Sequence, residues 1–154
     1  MEWNQLRDNI YYVDGSLRDI YIQNTTKEDW ILWANYVNNH YKISFFSASE
    51  DVSDDKINIS KVFDYWNGED DYCLSATIFL GNILVKIYFF SDAEIENNIK
   101  PNEINSIDDH LMVVDYMNRI SILLGKKVIL TPENYSPSDQ ILIETDHHRV
   151  LINV

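Results

Sequence analysis

A single cysteine, Cys73, is present, so no intrachain disulfide and no cysteine-based metal cage can form. Four glycines, at positions 15, 68, 81 and 125, lie too far apart to build a phosphate-cradling loop, which excludes nucleotide chemistry of that kind. With only 3 prolines besides, no long flexible linker is expected. No apolar run approaches the ~18–20 residues that span a bilayer. The start, Met1-Glu2-Trp3-Asn4, lacks the basic flank and apolar core of a signal peptide, so a soluble cytoplasmic protein is expected. Basic residues are also scarce: 12 Lys+Arg stand against 25 Asp+Glu, a formal net charge of −13. The one adjacent basic pair, Lys126-Lys127, reads as a complement to a helix C-terminus. A chain this poor in cations does not suit nucleic acid or anionic membrane surfaces.

What the chain does have is bulk for one core. Its apolar fraction is 45%, with 4 Trp, 10 Tyr and 6 Phe, unlike a disordered acidic tail. At 154 residues a single domain over 1–154 is expected. Residues 10–13 and 17–22, around Asp14-Gly15, read as a hairpin. A helix follows, capped by Thr25 with Glu28 or by Thr26 with Asp29. Its stripe of Trp30, Trp33, Ala34, Val37 and Tyr41 is expected to be core. A strand over 41–48, a polar loop over 50–55 and a short helix over 60–66 come next. Tyr72 to Leu80 and Ile83 to Phe90 form the clearest hairpin, turning at Gly81-Asn82, with Cys73 expected to be buried at its start. Residues 91–104 read as an edge strand or an irregular loop. Ser106 with Asp109 opens a long, deeply buried helix that stops at Gly125. A strand over 127–130, a loop over 131–139 and a closing hairpin around Asp146-His147-His148 complete the chain. The expected class is α+β: a mostly antiparallel or mixed sheet packed with about three helices, two long and one short.

The catalytic and metal signals are weak. Gly15-Ser16-Leu17 lacks the spacing of a nucleophile elbow. Asp51, Ser53 and Asp55 imitate the start of a calcium loop, but Lys56 and Val62 stand where glycine and glutamate are required.

 The twelfth position, Val62, offers no bidentate carboxylate, so a solvated acidic loop is expected there. His147 and His148 are adjacent, and in extended chain they point to opposite faces, which does not suit a shared metal. His40 suits a helix C-terminus, and His110 falls in the first turn of the long helix. The paired carboxylates are explained by solvation or, at Asp108 and Asp109, by a helix N-terminus. No catalytic residue, cofactor or metal site is expected.

The acidity is concentrated: residues 50–110 hold 14 acids and 4 bases. Three acidic segments (50–55, 69–71 and 92–96) flank the short helix carrying Tyr65 and Trp66. If they converge, Asp54, Asp55, Glu69, Asp70, Asp71, Asp92, Glu94 and Glu96 surround two aromatic anchors. Aromatic anchors supply binding energy, and charges supply steering. The stretches 14–22, Asp29-Trp30, 89–96 and 101–104 resemble a group of small, acidic, uncharacterised bacterial proteins, similar in size and charge to immunity proteins of polymorphic-toxin systems. The resemblance implies a non-catalytic protein-binding module that neutralises a basic toxin domain, and it supplies no functional residue. Two other readings stay open: a small enzyme or ligand-binding domain with an aromatic-lined cleft, and a structural or adaptor subunit.

Overall fold

The structure, a computed structural model, describes residues 2–69, 73–134, 140–147 and 149–154. In chain order its elements are α1 (Trp3–Asn9), β1 (Arg18–Gln23), α2 (Lys27–His40), β2 (Lys42–Ser47), β3 (Val52–Asp54), α3 (Ile59–Trp66), β4 (Leu74–Leu80), β5 (Ile83–Ile87), β6 (Glu94–Ile99), a 3-10 turn (Pro101–Glu103), α4 (Ile107–Leu124), β7 (Val128–Pro132), β8 (Ile143–Asp146) and β9 (Arg149–Ile152). The strands form one sheet in the order β3-β2-β4-β5-β6-β1-β7-β8-β9, with every neighbouring pair antiparallel. The α+β class therefore holds.

Local chemistry explains where the helices begin and end. At α2 the Thr26 hydroxyl accepts the Asp29 amide at 3.3 Å, and the Asp29 carboxylate accepts the Thr26 amide at 3.0 Å. This reciprocal box satisfies two backbone donors that a helix leaves unpaired. Ser106 caps α4 by accepting the Asp109 amide at 3.1 Å. Gly125 ends α4 at φ +64°, a left-handed conformation that costs a residue without a Cβ little.

The strands decide which face is core. Leu74, Ala76, Ile78 and Leu80 are buried along β4, and Ser75, Thr77 and Phe79 between them are half-buried. Strands β5 and β6 alternate in the same way. Their inward residues join Leu6 of α1, Trp30, Trp33 and Val37 of α2, Val62 of α3, and Val113, Met117 and Ile120 of α4 in a single hydrophobic cluster. Truncating a buried tryptophan or phenylalanine in such a core typically costs ~3–5 kcal/mol. Tyr21 and Ile129 are buried too, but they lie outside this cluster, on the other face of the sheet.

Several expectations need correction. Residues 10–13 are not the first arm of a hairpin, because a fourth helix, α1, precedes an irregular segment there. The buried Arg18 guanidinium organises that segment. Its Nε donates to the Ile10 carbonyl at 2.7 Å, Nη2 to the Tyr12 carbonyl at 2.6 Å, and Nη1 to the Leu17 carbonyl at 2.9 Å and the Ser16 hydroxyl at 3.0 Å. Nearby, Tyr11 Oη lies 2.7 Å from His110 Nδ1, and both residues are buried. Burial lowers the His110 pKa below the usual histidine value.

The loop over 50–55 contains β3, an edge strand paired with β2. The stretch 91–104 supplies β6, which sits in the middle of the sheet between β5 and β1. Cys73 is exposed, with φ +50°, rather than buried. Lys126 and Lys127 lie beyond the end of α4 and face carboxylates, with Lys126 3.8 Å from Asp29 and Lys127 3.8 Å from Glu144. The loop expected over 131–139 and the second residue of the His147-His148 pair fall partly outside the described residues, at 135–139 and 148.

Candidate protein-binding face

The register shows which side chains share the face opposite the helices. One row across the strands reads Ser44, Thr77, Lys86, Asn98, Asp19 and Thr131. Beside it runs Glu96, Tyr21, Ile129, Glu144 and Leu151. Glu94 pairs with Gln23 in the next row. Three carboxylates, Asp19, Glu94 and Glu96, thus gather about Tyr21. The Tyr21 hydroxyl lies 3.3 Å from Asp19 Oδ2 and 3.4 Å from Glu96 Oε1, so its single proton serves two acceptors.

This arrangement is electrostatically costly. Burial raises the Asp19, Glu94 and Glu96 pKa values, and the Asp19 and Glu94 charges raise that of Glu96 further. Relief for Asp19 comes from the Asn134 amide, at 3.2 Å, and from Tyr21. Among the described residues, none of the three carboxylates has an ion-pair partner.

The residues singled out in the sequence divide into separate places. Glu94 and Glu96 stand together on this face. Asp92 belongs to the loop before β6, where its carbonyl accepts the Thr25 hydroxyl at 2.6 Å and the Trp30 indole N–H at 3.0 Å. A depression of about 230 Å³ lined by Lys27, Trp66, Asn67, Phe90, Ser91 and Asp92 brings Trp66 to Asp92. Asp54 and Asp55 are exposed at the β3 edge, four strand positions from β6, or about 19 Å at ~4.8 Å per strand. Glu69 is exposed beyond α3. Asp70 and Asp71 lie outside the described residues.

Trp66 and Tyr65 pack against the core rather than standing free. The Trp66 indole N–H donates to the Phe89 carbonyl at 2.8 Å, and its ring meets Trp30 edge-on at 5.0 Å. The free aromatics near the acids are Tyr88, 43% exposed, and Phe90, 72% exposed, with ring centroids 6.0 Å apart. Both fall within the apolar run from Ile83 to Phe90 that is expected to be one strand, whereas β5 ends at Ile87. Three consecutive aromatics give no alternation to read, so the exposure of Tyr88 and Phe90 about a buried Phe89 follows from the turn at Phe89, φ +56°. Asp19 and Tyr21 lie in the strand over 17–22, whose imperfect alternation assigns neither residue to a face.

No helix among the described residues is long and apolar enough to cross a membrane. Among the same residues, no group of three or more His, Cys, Asp and Glu side chains is placed to hold a metal ion. A depression of about 370 Å³ on the open face is lined by Tyr21, Gln23, Asn24, Lys126, Lys127, Ile129, Ile141 and Glu144, a polar rim with no histidine among the described residues. Comparison of the chain with protein-family models, curated proteins and solved structures gives no match.

Proposed function

We propose that this chain is a non-catalytic protein-binding module whose acidic sheet face engages a cationic protein, in the manner of a cytoplasmic immunity protein occluding a basic toxin domain such as a nuclease. The observation that carries this reading is the set of Asp19, Glu94 and Glu96 carboxylates, desolvated together on the face away from the helices and, among the described residues, without an ion-pair partner. Groups that cost stability in the free protein are retained where function uses them. A partner's Lys or Arg side chains would supply the missing countercharge and steer encounter.

The test is titration of basic toxin domains against the native protein at low and high salt. Binding that weakens steeply with salt, and that is lost on Glu94→Lys with Glu96→Lys, is expected. Reversal of Asp54 and Asp55 at the distant edge should change affinity much less. Binding indifferent to salt and to all these reversals refutes the reading.

A further inference from the structure

We propose that Tyr88 and Phe90 are the anchor of the acidic face and take an arginine- or lysine-bearing segment of the cationic partner. The aliphatic stem of the basic side chain lies on the two rings, and its charged end reaches Glu94 or Glu96. This rests on the protein-binding reading above and names the chemistry that the face selects.

The geometry begins with a mismatch between two strands. Ile87 pairs with Asn97, and the next bridge joins Ser91 to Glu94. Three residues, Tyr88, Phe89 and Phe90, therefore span the distance covered by Ile95 and Glu96 on β6. An extra residue on one strand ends regular pairing, bends the chain and re-aims side chains. Phe89 absorbs the bend at φ +56°, a conformation that a bulky residue seldom adopts. Exposure rises along the same stretch, from half-buried Leu84 and Lys86 to Tyr88 at 43% and Phe90 at 72%.

The strained turn is held from both sides. The Phe89 ring is buried against Trp30, Trp33 and Phe45, at centroid distances of 5.7, 6.4 and 5.9 Å. Its carbonyl is held by the Trp66 indole. The two projecting rings thus stand on a rigid base, and little order is lost when a partner lands on them.

Charge complementarity selects the occupant. Glu96 directly precedes Asn97, the partner of Ile87, and Glu94 is bridged to Ser91, so both acids lie about one strand spacing, ~5 Å, from the ring-bearing segment. Asp92 follows two residues after Phe90. Of the neighbouring cations, Lys27 borders the depression beside Phe90 and Asp92 but sits over the Phe63 ring at 5.5 Å, and Lys86 faces Asn98 and Thr77; among the described residues neither forms an ion pair with Asp92, Glu94 or Glu96. A stacked aromatic pair beside carboxylates suits a guanidinium or ammonium on an apolar stem, through cation–π attraction and direct ion pairing together. A lone exposed hydrophobe needs no explanation, but a stacked pair beside desolvated acids has this one.

The experiment titrates the full-length protein with a capped peptide of alternating arginine and serine, and with its citrulline counterpart, at two ionic strengths. Native protein should bind the arginine peptide, and replacing arginine by citrulline should abolish binding. Tyr88→Ala and Phe90→Ala should each weaken binding about five- to thirtyfold without altering its salt dependence or the urea midpoint. Glu94→Gln with Glu96→Gln should weaken it and flatten the salt dependence. If the acid variants lose affinity while both ring variants retain it, the anchor proposal is overturned and the acidic-face reading stands. Equal binding of the citrulline peptide, or no binding of the arginine peptide, also overturns the anchor. If neither kind of variant matters for the peptide or for whole basic domains, both fall.

Discussion

Replacing Arg18 by alanine should be among the most damaging single changes in this chain, although the residue lies on the first strand and touches no proposed partner surface. Its guanidinium is wholly buried and stacks on the Tyr12 ring at 4.0 Å. It serves the carbonyls of Ile10, Tyr12 and Leu17 at 2.6–2.9 Å. Each acceptor left without it should cost about 1 kcal/mol, and the emptied space adds about 1–2 kcal/mol. Removing a buried charge also removes its desolvation penalty, which offsets part of this. A net loss of about 3 kcal/mol follows, or about 6–12 °C in Tm for a chain of this size. Arg18→Lys should lose about 2 kcal/mol, because an ammonium lacks the planar fork that spans several carbonyls. Urea unfolding measures both, and hydrogen exchange should show amides 10–17 losing protection before those of the sheet centre. A loss below about 1 kcal/mol for Arg18→Ala, or a lysine variant as stable as native protein, would refute the account of Arg18 as the organiser of this segment.

Two further outcomes concern pH. Glu96 has a raised pKa in the folded protein, so folding favours its protonated form, and stability should fall as pH rises from about 4 through the folded value. Glu96→Gln should therefore raise the urea midpoint at pH 7 and have no such benefit near pH 4; a gain that ignores pH counts against mutual carboxylate repulsion. His110 has the opposite linkage. Its pKa is lowered on folding, so the unfolded chain binds the extra proton and stability should decline as pH drops below about 6.5. That decline should be flatter in His110→Gln, and an unchanged slope would assign it to other groups.

Elements governed by neighbours in sequence were the legible ones. Ser106 with Asp109 and the Gly125 stop act within one helical turn and appear where spacing places them, and of the two caps that spacing allows for α2, Thr26 with Asp29 is the one formed. The Trp30 and Trp33 stripe was legible because helical periodicity is itself the burial pattern. Helix α1 was not. Ile10-Tyr11-Tyr12-Val13 has β propensity, yet the Arg18 guanidinium takes the Ile10 and Tyr12 carbonyls and replaces a strand ladder. The place of β6 was hidden for a related reason. Glu94, Glu96, Asn97 and Asn98 look like a surface strand, but Asn97 points into the core, where its Oδ1 accepts the Tyr116 hydroxyl at 2.6 Å. Of the candidate face, the acids of β6 were legible as charge. Their convergence with Asp19 depends on β1 lying beside β6, a long-range pairing that composition does not encode.

The position of β1 also bears on how the protein is made. Its neighbours in the sheet are β6 and β7, and its nearest paired residue in sequence, Glu94 opposite Gln23, lies 71 residues downstream. During synthesis the first strand therefore leaves the ribosome long before either of its partners. Ile20 and Ile22 must remain unsatisfied until β6 emerges, while the β4–β5 hairpin can close locally. Late docking of an early strand favours slow folding and exposes two bare strand edges in the interim. The nascent chain is thus open to a chaperone, or to another copy, for as long as its centre is missing.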